Sequence, residues 1–425
     1  GVEMCGGIVT DFQKNIYLSG IYESTFDADP SLNTHLLVSS GDVCNFIIKL
    51  DENGNFVWAK QISAIHQSFG VVGGYINIDD SSNVYIVGLF KDSIDCDPST
   101  NEFILFSPTL VSYLCKLDKD GNFLWAKILG PQFVTPITFD KYWNIYYTGH
   151  FYDTVDFDPG AGIYQQVALA AAGDFFTCKL NRNGELKWVK SFNGLGGSGI
   201  GKGITVDKFE SVIVTGTFQD TIDFDASSNV YNLSSQNGNA FILSIDTNGN
   251  FNWAKAYGTK ISTLAHVNPT SIIADSNNHL YWGGHFKGSV DIDPAVGVTS
   301  ITSNGTQDAF VCKLDSLGNL IWNKTLGGKL DDWFVHIKLD KFNNPLFSVN
   351  FKDSLFLSMP DGSNTLFQAG FNFNSAIINL NPNGEISWAK QIGDSNNCKS
   401  LIYIDESNIF SYGVFDKTCL FEVDN

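Results

Sequence analysis

The chain has 425 residues, with 45 Asp and Glu against 26 Lys and Arg, a formal charge of -19. That balance argues against nucleic acid and anionic membrane surfaces as partners, and suits a soluble extracellular protein or one facing cations. No window approaches the roughly 18 consecutive apolar residues of a membrane span, and none of the eight cysteines forms a C-x-x-C pair, which removes zinc-ribbon and thioredoxin-like chemistry.

In chain order, the first recognisable unit is a short apolar strand ending in Asp, Ile8-Val9-Thr10-Asp11, followed by a polar turn and Asn15-Ile16-Tyr17-Leu18-Ser19-Gly20-Ile21-Tyr22. The carboxylate is expected to accept backbone N–H groups across the turn, and Gly20 to let a backbone or ring approach closely. A second hairpin follows in Phe46–Lys60, where two runs of β-formers flank Asp51-Glu52-Asn53-Gly54-Asn55. Asn-Gly predicts a two-residue type I′ turn, whose central residues both need positive φ.

Both hairpins recur. The strand-ending aspartates are Asp11, Asp79, Asp140, Asp207, Asp275, Asp340 and Asp405, and the tryptophans of the second hairpin are Trp58, Trp125, Trp188, Trp253, Trp322 and Trp388. A period of about 60–70 residues outranks the prior of two or three domains for this length. Each repeat reads strand a, turn, strand b, long loop, strand c, turn, strand d. Such a four-stranded antiparallel unit buries both faces only when packed against copies of itself, which describes a β-propeller blade. The expected fold is all-β: one propeller over residues 1–425, seven-bladed by the seven aspartates, with blades near 1–63, 64–130, 131–194, 195–258, 259–328, 329–393 and an incomplete 394–425. Phe415–Glu422 aligns with Phe218–Asp225, so the seventh blade stops in its b–c loop, and the chain reads as an excerpt of a longer protein.

Cys115, Cys178 and Cys312 share one repeat position within Cys-Lys-Leu and are expected to be small buried residues. Cys5 and Cys398 precede equivalent aspartates in the first and last repeats, where a closed ring would make them neighbours; a ring-closing disulfide is the expectation there, subject to strict Cα geometry.

The b–c loops open on an acidic motif with Asp27 and Asp29, Asp95 and Asp97, Asp156 and Asp158, Asp223 and Asp225, or Asp291 and Asp293. Two carboxylates two apart on an extended segment point the same way and could hold calcium, which wants six to eight oxygens. The alternative is strand-end hydrogen bonding beside a strand-stopping Pro. Gly194–Gly203 matches G-x-G-x-x-G, yet it leads into strand Ile204–Val206 rather than a helix; it reads as a flexible loop between blades, not a phosphate site.

No catalytic motif is found, and pairings among 45 acidic residues carry no specificity. His150 and His285 share one Gly-His-Phe position and are expected to be packed strand residues. In a propeller, b–c and d–a loops share one face. The d–a loops carry His66, Phe69, Phe133, Lys202, His266, Asp332 and Trp333, non-repeating groups on a repeating frame and therefore the ligand-binding candidates.

The period, the Asp-x-x-x-Asn-Ile-Tyr-x-x-Gly-x-Phe hairpin, the Asp-Phe-Asp-Pro loop and the Lys-Leu-Asp-x-x-Gly-Asn-x-x-Trp-Ala-Lys hairpin resemble the SBBP-type β-propeller repeat of secreted and surface proteins of Bacteroidota. The resemblance implies a type IX secretion cargo, sorted by a segment outside this chain, and O-glycans on Asp-Ser/Thr-apolar triplets, here at Ser93, Thr154, Thr221, Ser316 and Ser354. The expected function is a non-enzymatic, secreted or surface module binding a protein or glycan. The alternatives are a propeller lectin or carbohydrate-active enzyme, and a structural component of a surface or secretion assembly. No cofactor other than calcium is implied.

Overall fold

A computed structural model describes residues 3–39, 43–65, 72–135, 137–194, 197–258, 265–294, 299–359, 361–392, 398–404 and 409–415. Every regular element among them is a β-strand, and no helix is long and apolar enough to cross a membrane. The chain is all-β, built from antiparallel sheets of the propeller-blade type, four-stranded in repeats four, five and six.

The chain divides into two compact units. One comprises Gly1–Tyr147, Thr154–Val167 and Lys179–Lys187, the other Thr148–Asp153, Ala168–Cys178 and Trp188–Asn425; the third repeat contributes to both.

In the first unit, repeat one runs Glu3–Thr10, Ile16–Tyr22, Cys44–Leu50 and Phe56–Ile65, and repeat two runs Val72–Ile78, Val84–Asp95, Ile104–Leu117 and Phe123–Ile128. Each pairs in the order a-b-c-d, and Ser63–Ile65 at the end of the first d strand pairs with Ser93–Asp95, joining the two sheets. In the second unit, repeats four, five and six repeat the order with a strands Ser198–Val206, His266–Ala274 and Asp332–Leu339. Cys398–Ile404 and Ile409–Phe415 form a further antiparallel pair.

Burial follows strand position. The c strands Cys44–Leu50 and Asp308–Leu314 are buried almost throughout, while d strands such as Leu186–Phe192 and Phe251–Tyr257 are mostly half-buried, as a central strand covered on both faces and an edge strand should be. Cys115, Cys178 and Cys312 are fully buried, as expected.

Both turns of a repeat use one recipe. In the a–b turn, Asp11 Oδ1 accepts the N–H groups of Gln13 and Asn15, and Lys14 N–H closes on the Asp11 carbonyl. In the c–d turn, Asp51 Oδ1 accepts from Asn53 and Asn55, and Gly54 N–H closes on the Asp51 carbonyl. The carboxylate role is as read from the sequence; the type I′ turn is not. Gly54 has φ 81° while Asn53 is not left-handed, so three residues separate Asp51 from Asn55 in a type I turn closed by a G1 bulge. The left-handed fourth position is Gly in the c–d turns but Lys14, Ser82, Trp143, Glu210, Asn278 or Asn343 in the a–b turns.

Repeats dock through their tryptophans. Trp58 Nε1 donates to the Lys119 carbonyl, Trp188 to Thr247 and Trp322 to Pro382, each in the next repeat's c–d turn. A Cβ on Gly318 would lie 2.8 Å from the Trp253 ring, and one on Gly384 2.8 Å from Trp322. Glycine at this position thus serves the turn and the ring stacked on it. Below, Asp79 accepts from Tyr85 OH (3.1 Å) and pairs with buried Lys116 Nζ (3.0 Å), whose charge sits 4.6 Å from the Tyr85 ring centre.

Candidate functional site

The b–c loops are held by their own aspartates. Asp27 Oδ1 accepts the N–H groups of Asp29 and His35, and Asp29 Oδ1 that of Ser31. The same pattern joins Asp95 to Asp97 and Phe103, Asp156 to Asp158 and Tyr164, Asp223 to Asp225 and Tyr231, and Asp291 to Asp293 and Thr299. The residue between the paired aspartates, Cys96, Phe157, Phe224 or Ile292, is fully buried. The motif therefore anchors a loop, with one carboxylate oxygen of each leading aspartate turned to the backbone. Among the described residues no three His, Cys, Asp or Glu side chains come together as metal ligands.

The Asp-Ser/Thr triplets also have a backbone role. Asp92, Asp153, Asp220 and Asp353 have φ of 65°, 56°, 60° and 60°, a conformation that Asp and Asn tolerate better than most residues. A register shift between the b and c strands lies immediately before Asp92, Asp220 and Asp353. Thr154 and Ser316 are exposed, Ser93, Thr221 and Ser354 half-buried, and Thr221 Oγ1 lies 2.8 Å from Ser234 Oγ.

Of the binding candidates, His66 and Phe69 lie outside the described residues. Phe133 is on the short strand Phe133–Val134 and is exposed. Lys202, His266, Asp332 and Trp333 lie on a strands rather than in d–a loops, and the glycine-rich segment read as a loop is strand from Ser198 onward. The glycines hid the strand because they are there for close approach: a Cβ on Gly199 would lie 2.7 Å from the Phe175 ring, and one on Gly201 2.1 Å from Thr148 Oγ1.

The a strands of repeats one, two, four, five and six carry a register shift at one position, filled by Gly6, Gly74, Lys202, Thr270 and Val335. A bulge re-aims the side chain it carries. Lys202 Nζ donates to Asn268 Oδ1 on the neighbouring a strand, and Asn268 Nδ2 lies 2.7 Å from Nε2 of His285, its cross-strand partner. His285 Nδ1 is buried without a partner among the described residues. Burial, then Lys202 and His266, push the His285 imidazole down to about 4. His266, opposite Lys287 in register, is lowered by burial, then by Lys287 and Lys202; His150 is lowered by burial, then by Lys202. Burial lowers Lys202 itself. His150 and His285 are strand residues, as expected, and both respond to the same lysine.

Asp332 and Trp333 form a different group. Asp332 is fully buried, its Oδ2 accepts Gly328 N–H at 2.6 Å, and burial, with Asp308 and Asp331 nearby, pushes its carboxyl up to about 8. Trp333 packs 4.8 Å from Phe373, over which Lys352 Nζ stands at 4.4 Å. Cys5 Sγ lies 3.4 Å from the Ser19 carbonyl and is in no disulfide among the described residues; the Cys398 side chain lies outside them.

Sequence reading missed Asn268, whose signal is a polar residue where other a strands have Met4, Ile200 or Trp333. It also missed Phe12, Tyr142, Phe209 and Phe342, exposed by 68% or more at a–b turn tips; the recurring Asp-Lys-aromatic triplets at 140, 207 and 340 would have shown three of them.

No family model matches the chain. An uncharacterised WD repeat-containing protein of Acanthamoeba polyphaga mimivirus is 23% identical over 419 residues, covering 80% of this chain and 30% of that protein, so the chain spans under a third of its length. Solved structures that resemble the chain include a Bacteroides caccae protein of unknown function (10% identity, TM-score 0.30, 66% of this chain and 89% of that one). A Dyadobacter fermentans protein of unknown function gives 8% identity and TM-score 0.35, over 92% and 94% of the two chains. The Dos1 propeller gives 8% and 0.38, over 87% and 93%.

Proposed function

We propose that the chain is a non-enzymatic binding module of a secreted or surface protein, a seven-bladed propeller that engages a protein or glycan through the a-strand residues Lys202 and His266 and their neighbours. The observation that carries this reading is the gathering of Lys202, His150, His266, Asn268 and His285 on strands of successive repeats, on a frame whose other recurring polar residues serve its turns and loops. Non-repeating polar groups on a repeating scaffold are not needed by the scaffold. The charge of -19 is consistent with an extracellular setting. The SBBP-like repeat motifs are the ground for assigning the protein to type IX cargo.

The test is capture of surface proteins and glycans by the immobilised chain and by its Lys202→Met and His266→Ala variants. A specific partner lost in both variants but retained by Phe133→Ala supports the reading. Equal capture by all three would overturn it.

A further inference from the structure

We propose that the Lys202–Asn268–His285 hydrogen-bond chain, with His150 and His266 around it, is a receptor for an oxyanion, a carboxylate, sulfate or phosphate group. This rests on the binding reading above and names the chemistry of its ligand.

The argument starts from the direction of the hydrogen bonds. A lysine ammonium only donates, so the Asn268 atom facing Lys202 Nζ is its carbonyl oxygen. The amide nitrogen of Asn268 is then the group 2.7 Å from His285 Nε2, and because that nitrogen donates, Nε2 must accept. In a neutral imidazole one nitrogen accepts and the other carries the proton. The proton of His285 therefore sits on Nδ1, the atom that is buried without a partner among the described residues. One lysine fixes an amide orientation and a tautomer, and the chain ends in an N–H donor with no acceptor. A buried unsatisfied donor costs about 1–3 kcal/mol and calls for a bound group to account for it.

The charges around this chain agree. Among the described residues, the charged groups acting on His266 and His285 are Lys202, Lys287 and His266, with no carboxylate, and Lys202 acts on His150 as well. In a protein with 45 acidic residues, a partly buried set of donors and cations that lacks an acid wants an acceptor and a negative charge. Lys202 reaches this position because it is the extra residue of a bulge flanked by Gly201 and Gly203. A built-in counter-carboxylate would satisfy the same donors permanently; with none among the described residues, they are left for a ligand.

The experiment is long-range ¹H–¹⁵N correlation of the histidine rings in the whole chain at pH 7, with inorganic phosphate and, separately, acetate titrated against a chloride control. Before addition, His285 is expected as the Nδ1–H tautomer. Saturable shifts of His150, His266 and His285 with phosphate or acetate, but not chloride, are expected. Lys202→Met should weaken them about tenfold or more, the loss of one charge-assisted contact. An Nε2–H tautomer at His285, or no saturable shift in the wild-type protein, overturns the proposal without recourse to a variant. If the anions fail while Lys202→Met still abolishes partner capture, the binding reading stands and the oxyanion does not. If the anions bind and no partner is captured, the reverse holds. Saturation by phosphate alone points to a phosphate or sulfate group as the recognised moiety, and saturation by acetate to a carboxylate.

Discussion

The bulge of the a strand is built in two ways. In repeats one and two the bulged residue is glycine, and backbone meets backbone: a Cβ on Gly6 would lie 3.0 Å from the Gly74 carbonyl oxygen, and Ser19 Oγ donates to that oxygen. In repeats four and five the same position carries Lys202 and Thr270, and polar side chains fill the space, with Asn268 and His285 beside them. The backbone register is common to both, so the difference lies in side chains alone. A strand whose bulge is closed by glycine can only hold repeats together. One whose bulge carries lysine can also present a group to a ligand.

The largest expected effect breaks the buried Asp–Lys pair of repeat two rather than the bulge. Lys116→Ala takes from buried Asp79 its nearer cation, leaving Arg182 at 3.6 Å, and should cost about 3 kcal/mol, measured by urea unfolding. Repeat six, with Leu346 and Asn379 in place of the tyrosine and lysine, has no such pair to lose, and Asn379→Ala there should cost far less. Gly6→Lys tests the glycine-closed bulge directly. The new side chain must move backbone at Gly74, at a cost of about 1–3 kcal/mol; an unchanged urea midpoint would show that the two kinds of bulge are interchangeable.

The polar bulge should also make itself felt in pH dependence. His285 is held down to about 4 and His336 to about 3, in both cases first by burial, against about 6.5 in the unfolded chain. The unfolded state binds the extra protons as pH falls, so their contribution is intact above about 6.5 and lost between there and 4. The slope is at most about 1.4 kcal/mol per pH unit for each histidine. His285→Gln should remove its share of that slope; an unaltered profile from pH 4 to 6.5 would count against a buried neutral imidazole. The smallest effect concerns the shared turn. Lys14 (φ 64°) is exposed, and Lys14→Gly should stabilise by about 1 kcal/mol, while Gly54→Lys, at φ 81° with nothing within 4 Å, should destabilise by a similar amount. Thermal melts of the two variants should move in opposite directions.

Much of the fold was legible because period and pattern act locally. The Asp turns at Asp11, Asp79, Asp140, Asp207, Asp275 and Asp340, the c-strand cysteines and the glycines beneath rings such as Gly88 against Tyr113 follow from side-chain spacing alone. The turn type was not, since the number of residues left-handed in Asp51–Asn55 depends on where the ladder resumes. The strand through Gly199, Gly201 and Gly203 was hidden because its pattern is set by what packs on it rather than by its own side chains. Lys202 and His266 could be picked out as odd residues in a repeat. The connection of Lys202 to His285 through Asn268 could not, because it depends on the register between two repeats.

The tryptophan contact has a direction. The ring of each repeat is covered by a turn that comes one repeat later in the chain, and a repeat is therefore finished only by its successor. During synthesis, a newly emerged repeat would hold its tryptophan uncovered until about one more repeat had left the ribosome, so folding should trail translation by that interval. With that one-way dependence, a cut or a pause between repeats would disturb the repeat before it more than the repeat after.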